Sequence, residues 1–331
     1  MLKRDLPAFD HVRRRFALIL FTPLLVLAGL SIGCNAEQFK YGEHFRATEE
    51  FVSAQSTSYA QTVRSDATSE APALSATATA IAVAAMADAP EGVRNLFERT
   101  GIAVVDVPAG DFLFGTDLPD AGKSASTVWL DDFWIGLTEV TNVQYAAFVD
   151  AGGYDDASLW TDEGWQWREK QTYGGPICGG NEAFNAPEQP VTCVNLYEAQ
   201  AFAALLSRES GLTVRLPTAE EWEKAARGSQ GFRYPWGDDP PNAGRANYAA
   251  ALGQTAGVGS HPEGASPYGA LDMAGNVAES TGTRSSFGDQ YTVRGGSWFD
   301  YADSLISSYN RYYAPEDQQN FNGFRVAVEG E

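Results

Sequence analysis

The tryptophans mark the part of this chain that can fold. All eight lie at or after Trp129, whereas residues 35–92 are rich in Ala, Ser, Thr and Glu, with few aromatic residues and no sustained hydrophobic period. A segment of that composition buries too little apolar surface to offset the entropy of ordering. We therefore predict a disordered tether over residues 34–94 and one globular domain over residues 95–331.

Three helices are indicated by their starts. Each start is a capping box, in which an N-cap residue is followed three places on by Glu or Gln, and the three pairs are Thr141 with Gln144, Asn195 with Glu198, and Thr218 with Glu221. Gly152, Gly211 and Gly228 stand where these helices should end. After Gly228 the chain is rich in Gly, Asn, Pro and aromatic residues, which predicts short strands and much ordered loop.

A hairpin is predicted at the front of the domain. The apolar runs IAVVDV and DFLFG flank Pro108, Ala109 and Gly110, a turn-forming triplet. Together with the three helices this predicts an α+β fold, with short helices around small antiparallel sheets.

The first 33 residues have the layout of a bacterial secretory signal, with basic residues before an apolar run from Phe16 to Leu30. The run is shorter than a membrane span. It closes on a sequence close to a lipoprotein signal, which predicts a lipid on Cys34 and a location in the cell envelope. Ser31 departs from that pattern, so an ordinary cleaved signal with an incidental Cys34 is the alternative.

The remaining cysteines, Cys178 and Cys193, would lie in an oxidising compartment, where a pair that can meet is expected to form a disulfide. Two buried thiols are the alternative. The net charge of −20 argues against nucleic acid as a partner, because phosphate binding needs clustered Lys and Arg.

Several spaced motifs make the globular domain resemble the formylglycine-generating enzyme, or sulfatase-modifying factor, family. In chain order they are TEVTNVQYAAFV, RLPTAEEWEKAARG, YPWG, SPYGALDMAGNVAE, VRGGSW and GFRVA. The resemblance implies a decorated relative of the C-type lectin fold. It also implies a structural calcium ion on the side chains of Asp272 and Glu279 and the carbonyls of Gly275 and Val277, which are hard oxygen ligands.

A second family calcium site would begin at Asn247 and the Tyr248 carbonyl, but the acidic ligand that should follow has no clear counterpart. Family members that make formylglycine hold copper with two cysteines after the RGGS motif. Asp300 and Leu305 occupy those places here, and neither replaces a soft thiolate. Only His261 lies in the domain, which is too few for a multi-histidine iron site, and we expect it on a surface loop. No catalytic residue is predicted, and neither copper nor iron is expected.

The segment that follows the RGGS motif is rich in Tyr, Phe, Ser and Asn, a composition typical of adaptable recognition loops. It predicts a ligand-binding surface for a protein, peptide or glycan, formed by Phe299, Asp300, Tyr301, Ser304, Tyr309, Tyr312, Tyr313 and Phe321. The alternative is that part of these aromatics are core. The segment also resembles the variable region of proteins diversified by retroelements. The competing function is a family oxidoreductase with a cysteine-free active site.

Overall fold

The structure, a computed structural model, describes residues 76–115, 125–286 and 288–330. The predicted signal, the predicted lipidation residue Cys34 and residues 34–75 of the predicted tether lie outside these ranges. None of the helices in the described ranges is long and apolar enough to span a membrane.

In the part of the chain that the structure describes, ten short strands form three small sheets. In chain order they are β1 Val104–Val107, β2 Gly110–Phe114, β3 Ser126–Leu130, β4 Phe133–Gly136, β5 Val214–Arg215, β6 Ala278–Arg284, β7 Tyr291–Arg294, β8 Arg311–Tyr313, β9 Asn322–Gly323 and β10 Ala327–Glu329. The sheet orders are β1-β4-β10-β5, β2-β3 and β8-β7-β6-β9. All pairs are antiparallel except β6 with β9. The predicted α+β class is confirmed.

Within the described ranges, six α-helices accompany the sheets. They are α1 Ala76–Ala87, α2 Glu91–Thr100, α3 Asn142–Asp150, α4 Asp162–Arg168, α5 Leu196–Ser210 and α6 Ala219–Arg227. Helices α3, α5 and α6 begin at the predicted capping boxes, each with both reciprocal hydrogen bonds formed. Their predicted ends are confirmed to within two residues. Gly211 follows α5 in the left-handed conformation that an L side chain rarely adopts.

The prediction of a disordered tether is wrong for residues 76–94. Helices α1 and α2 cover this stretch and bury Ala82, Met86, Val93 and Leu96 against the domain. Helix α1 has almost no polar face, so its stability comes from packing on the rest of the fold, which local sequence does not report. Within the described residues, the packed part of the chain therefore includes residues 76–94.

The predicted hairpin across Pro108, Ala109 and Gly110 is also wrong. Strand β1 pairs with β4, in register Val105 with Ile135, and β2 pairs with β3 in a separate sheet. The turn therefore carries the chain out of one sheet and into another. The prediction of two strands, β1 and β2, is correct, but each strand pairs with a segment that is distant in sequence.

Two hydrophobic clusters lie on opposite faces of the β1-β4-β10-β5 sheet. One joins Val104 and Val328 to the aromatic interior formed with α3 and α5, where Tyr145 stacks on Phe202 at 5.5 Å. The other joins Val105 and the opposite face to α6. This core supports the long ordered loops that follow β7.

Candidate functional site

An ion pair occupies the place where the family resemblance would put the first copper-binding cysteine. Arg311 donates from Nη2 to Asp300 Oδ1 at 2.6 Å and from Nη1 to Asp300 Oδ2 at 3.0 Å. The Ser297 hydroxyl donates to Asp300 Oδ2 at 2.7 Å, and Arg311 Nη1 also donates to the Tyr313 hydroxyl at 3.3 Å. Burial raises the pKa of Tyr313, which keeps the phenol neutral. The side chains of Ser297, Asp300, Arg311 and Tyr313 therefore form hydrogen bonds with one another.

The glycines of the RGGS motif bring this cluster together. Gly296 has a φ of +67°, and a Cβ on it would lie 2.8 Å from the Ser304 carbonyl oxygen. Only glycine allows the backbone to pass so close to the residues that follow. The turn therefore folds residues 297–305 back on themselves, which sets Ser297 beside Asp300.

The second expected cysteine position also lacks a metal ligand. Leu305 is fully buried, in a cluster with Tyr234 and Ile306. Cys178 and Cys193 form the predicted disulfide, which confirms that prediction and leaves no free thiol in the described ranges. The residues at this place do not fit copper(I), which requires soft thiolate ligands.

Exposed aromatic side chains gather on the same segment. Four aromatic side chains of the described ranges are exposed, and three of them are Phe299 (58%), Tyr301 (78%) and Tyr309 (38%), while Trp129 on β3 is the fourth. Three large exposed rings within eleven residues of one loop are unusual for a surface on which single exposed apolar residues are the rule.

A neighbouring loop adds to this surface, and sequence reasoning missed it. Ala249 donates its backbone N–H to the Asp300 carbonyl and Ala250 to the Trp298 carbonyl, both at 2.7 Å. Leu252, two residues further along this loop, is 57% exposed. Both alanines adopt a positive φ, near +54°, which is rare for alanine and is not predicted by the sequence.

The other predicted binding residues are less accessible. Ser304, Tyr312, Tyr313 and Phe321 are half-buried, and Tyr313 packs against Phe321 with ring centroids 6.4 Å apart. We use the name aromatic surface for Leu252, Phe299, Tyr301 and Tyr309.

The predicted calcium ligands make other contacts. Both oxygens of Glu279 are bound by Arg325, from Nε at 2.6 Å and from Nη2 at 2.7 Å, and the Trp222 indole N–H donates to the same carboxylate at 2.7 Å. Asp272 accepts from the backbone N–H of Gly259. A guanidinium already neutralises the carboxylate that the ion would need.

The turn between these carboxylates is tightly packed. Asp272 and Gly275 both have positive φ, and a Cβ on Gly275 would lie 2.4 Å from the Asn247 carbonyl oxygen. Val277 is fully buried. In the described ranges no group of three or more His, Cys, Asp or Glu is arranged to hold a metal ion. Both predicted carboxylate ligands therefore have partners within the fold, and the calcium site stays a prediction.

At the second predicted site, Asn247 and Tyr248 contact amide and carbonyl groups. The Asn247 Nδ2 donates to the Gln254 carbonyl and to Asn276 Oδ1, and the Tyr248 carbonyl accepts from Ala251. The Asn247 Oδ1, which would be the ligand atom, is buried without a hydrogen-bond partner in the described residues, and the second site stays a prediction.

His261 lies on a loop, as expected, but it is half-buried. Its side chain is 13% exposed, and its Nδ1 lies 3.9 Å from Asp272 Oδ1. The Pro-Glu-Gly turn at 262–264 folds the loop inward. A single imidazole beside one carboxylate is a polar contact within the fold, and it does not supply a multi-histidine iron site.

Comparison with known proteins places this fold and these motifs in context. Residues 93–330 match the Sulfatase-modifying factor enzyme 1-like domain. The chain is 34% identical to hercynine oxygenase from Mycolicibacterium thermoresistibile, over 69% of this chain and 60% of that protein. It is 31% identical to inactive C-alpha-formylglycine-generating enzyme 2 from Mus musculus, over 68% of this chain and 85% of that protein.

Two solved structures share the fold. PvdO from Pseudomonas aeruginosa superposes with a TM-score of 0.53 at 26% identity, over 69% of this chain and 94% of that one. Treponema denticola variable protein 1 superposes with a TM-score of 0.54 at 22% identity, over 69% and 95%. The chain spans about three fifths of the length of the hercynine oxygenases that it matches.

Proposed function

The chain belongs to the sulfatase-modifying factor family, and on that premise we propose that its domain is a non-catalytic module that binds a protein or peptide through the aromatic surface. The observation that carries this proposal is the grouping of Phe299, Tyr301 and Tyr309 as exposed rings on an ordered loop. Large aromatic side chains with little conformational freedom are the groups that most often supply binding energy at protein interfaces.

The composition of the nearby polar groups supports a non-catalytic role. The Asp300–Arg311 pair and buried Leu305 stand where thiolates would bind copper in family members that make formylglycine. Ser297 donates its hydroxyl to a carboxylate and is fully buried, so a substrate does not reach it. A relative from Mus musculus carries the word inactive in its name, which agrees with a member that has lost catalysis.

Charge complementarity indicates the kind of partner. The chain carries a net charge of −20, and the exposed Asp303 lies within the aromatic segment. A partner surface with an apolar centre and flanking Lys or Arg residues fits such a site best, because like charges at an interface disfavour association.

A phage-displayed library of random peptides tests this proposal. We expect selection on the wild-type domain to enrich peptides with apolar and basic residues, and these should lose at least tenfold in affinity for Tyr301→Ala. Trp129→Ala is the matched control, because Trp129 is also exposed (61%, against 78% for Tyr301) but lies on β3, outside residues 299–309. Equal binding to wild type and Tyr301→Ala, or no enrichment over a blank, contradicts the proposal.

Similarity to hercynine oxygenases favours a second candidate, an oxidoreductase with a cysteine-free active site. This candidate predicts oxygen consumption when the domain is supplied with a thiol peptide and copper or iron. The binding proposal predicts no oxygen consumption above the metal blank, measured with an oxygen electrode. It also predicts no conversion of a sulfatase-type cysteine peptide to formylglycine, measured by mass spectrometry.

We also propose that the chain is exported and anchored through a lipid on Cys34, which would display the domain at a membrane. Support comes from the basic and apolar residues before Cys34. Metabolic labelling with a fatty acid should label the wild type and leave Cys34→Ser unlabelled.

The aromatic surface also suggests an origin by retroelement diversification. The support is the composition of this surface and its placement on loops. The similarity to Treponema denticola variable protein 1 shows a shared fold and is not evidence of diversification. The genome decides: a near-copy of the coding segment with Asn codons at the variable positions, beside a reverse transcriptase gene, would establish it, and the absence of such a copy would remove it.

A further inference from the structure

A buried carboxylate lies beneath the segment that frames the aromatic surface. Glu198, in the first turn of α5, is fully buried. Its Oε2 accepts from the Asn195 backbone N–H and from Gln318 Nε2, both at 2.8 Å, and its Oε1 accepts from the Tyr154 hydroxyl at 2.5 Å. The carboxyl therefore joins a helix start to Gln318 in the C-terminal part of the chain.

The groups around Glu198 are almost all neutral. The Tyr154 hydroxyl is 2.9 Å from that of Tyr145 on α3, and Tyr173 donates its hydroxyl to Gln318 Oε1 at 3.0 Å. Arg168 on α4 is the cation that acts on Glu198, but its guanidinium donates to the carbonyls of Tyr154 and Gln171. Within the described ranges no Lys or Arg forms an ion pair with Glu198.

Glu221 makes the contrast clear. It is the capping-box glutamate of α6, in the same place on its helix, yet it receives two hydrogen bonds from Arg215, each 2.7 Å long. An ionised carboxylate is compensated there by a cation. At Glu198 no cation contacts the ionised carboxylate, which is compensated by dipoles and by the more distant Arg168, so its charge is far less well tolerated.

Residues 314–321 hold the other side of this contact. The Pro315 carbonyl accepts from Leu196, the Gln319 carbonyl accepts from Cys193, and the Asn320 carbonyl accepts from the Trp298 indole. Phe321 at the end of the segment packs on Tyr313. The segment thus covers Glu198 and at the same time supports the residues next to the aromatic surface.

We infer that Glu198 is a proton-operated latch. When it is protonated, its Oε1–H donates to the Tyr154 hydroxyl, which in turn donates to Tyr145, and residues 314–321 stay closed over it. When it ionises, the segment loosens and with it the support of the aromatic surface. The link to ligand binding rests on the proposed function, while the latch itself does not. Opening of the segment would bring water to the carboxylate, which removes the unfavourable burial of its charge.

The direction of the effect follows from the carboxyl's surroundings. Burial raises the pKa of Glu198 from 4.5 to about 7. The closed state therefore binds the proton more tightly than an opened, hydrated state, and rising pH favours opening until the closed state has also ionised. The segment should be most firmly closed below pH 5 and loosest above pH 7.

Amide hydrogen exchange of the free protein tests the latch without any ligand. The probes are the N–H groups of Cys193 and Leu196, which bond to the segment, together with those of residues 317–321. After correction for intrinsic exchange rates, we expect the opening constant to rise by roughly tenfold or more between pH 5 and pH 7 and to level off above that. In Glu198→Gln, which cannot ionise, the opening constant should be constant across this range.

Two further variants keep the test decisive. Glu221→Gln should retain the pH dependence at the probe amides, because it alters a capping box that does not contact the segment. Gln318→Ala removes the tie from the segment to Glu198, so its residues 319–321 should exchange faster at every pH with little pH dependence, and it serves if Glu198→Gln does not fold. An opening constant in wild type that does not change with pH, or equal pH dependence in wild type and Glu198→Gln, overturns the latch. A failed peptide selection would count against the proposed function alone.

Discussion

Asp300 and Arg311 form a two-pronged ion pair at 2.6 and 3.0 Å in a place where the family resemblance puts a metal-binding thiolate. The side chains are 14% and 23% exposed, so the pair is shielded enough to matter for stability. The bonds from Ser297 and Tyr313 complete it. The polar groups at this place bind one another, and this ties Ser297 and Asp300 to Arg311 and Tyr313 around the aromatic surface.

A double-mutant cycle measures how much the interaction between Asp300 and Arg311 contributes to stability. Asp300→Ala leaves Arg311 without its partner in a half-buried place, so we expect a loss of about 1–3 kcal/mol in the free energy of unfolding. Arg311→Ala should have a similar effect, and the double variant should lose less than the sum. Chemical denaturation gives all four values. Additive losses would show that the two side chains do not stabilise each other.

The contacts of Glu279 lead to a prediction about calcium. Because Arg325 and Trp222 already bind its carboxylate, we expect the melting temperature to be the same with excess chelator and with added calcium. Glu279→Gln should destabilise the fold by about 3–5 kcal/mol, since it leaves Arg325 buried without its anion. A melting temperature that falls on chelation in wild type, and is insensitive to chelation in Glu279→Gln, would instead support the predicted calcium site.

Local signals in the sequence predicted local structure well. The capping boxes at Thr141, Asn195 and Thr218 are complete within four residues of chain, so their geometry can be seen in the letters alone. The Cys178–Cys193 disulfide followed from the expected compartment and the small number of cysteines.

Contacts between distant residues could not be predicted in the same way. Strand β1 pairs with β4 and not with its neighbour β2, and α1 is ordered only because Ala82 and Met86 find a surface to pack on. At the candidate site, the composition predicted exposed aromatics. The loop at Ala249 and Ala250 depends on positive φ angles, which an alanine in a sequence does not predict, so the exposed Leu252 was missed.

Two neighbouring residues separate core from binding surface. Trp298 is 8% exposed, lies 5.6 Å from the Phe184 ring and donates its indole N–H to the Asn320 carbonyl, whereas Phe299 is 58% exposed. We expect Trp298→Ala to reduce the free energy of unfolding by about 3–5 kcal/mol. Phe299→Ala should change it by about 0.5 kcal/mol or less and should weaken binding of the selected peptides. Similar destabilisation by the two variants would mean that Phe299 belongs to the core.

Reduction of the disulfide should weaken the fold near residues 314–321. Cys178 and Cys193 enclose a short loop, and Cys193 also bonds to Gln319 through its backbone N–H. Loss of a link of this loop size destabilises a domain by about 2–4 kcal/mol. The double variant Cys178→Ser with Cys193→Ser should therefore melt lower than wild type. Its melting temperature should not respond to a reductant, whereas that of wild type should fall.

Global stability should depend on pH through Glu198, with a sign opposite to that of most carboxylates. Its pKa is raised from 4.5 to about 7 by burial, so between these values the folded protein binds more protons than the unfolded chain. The free energy of unfolding should consequently fall as pH rises from 4.5 to 7 and stay level above, with a total contribution of up to about 3 kcal/mol. Urea unfolding of wild type and Glu198→Gln at pH 5, 6, 7 and 8 isolates this contribution as the difference between the two curves, because every other titrating group is shared. A difference that does not change with pH would mean that Glu198 is ionised in the folded protein throughout, and its network would then be a purely structural contact.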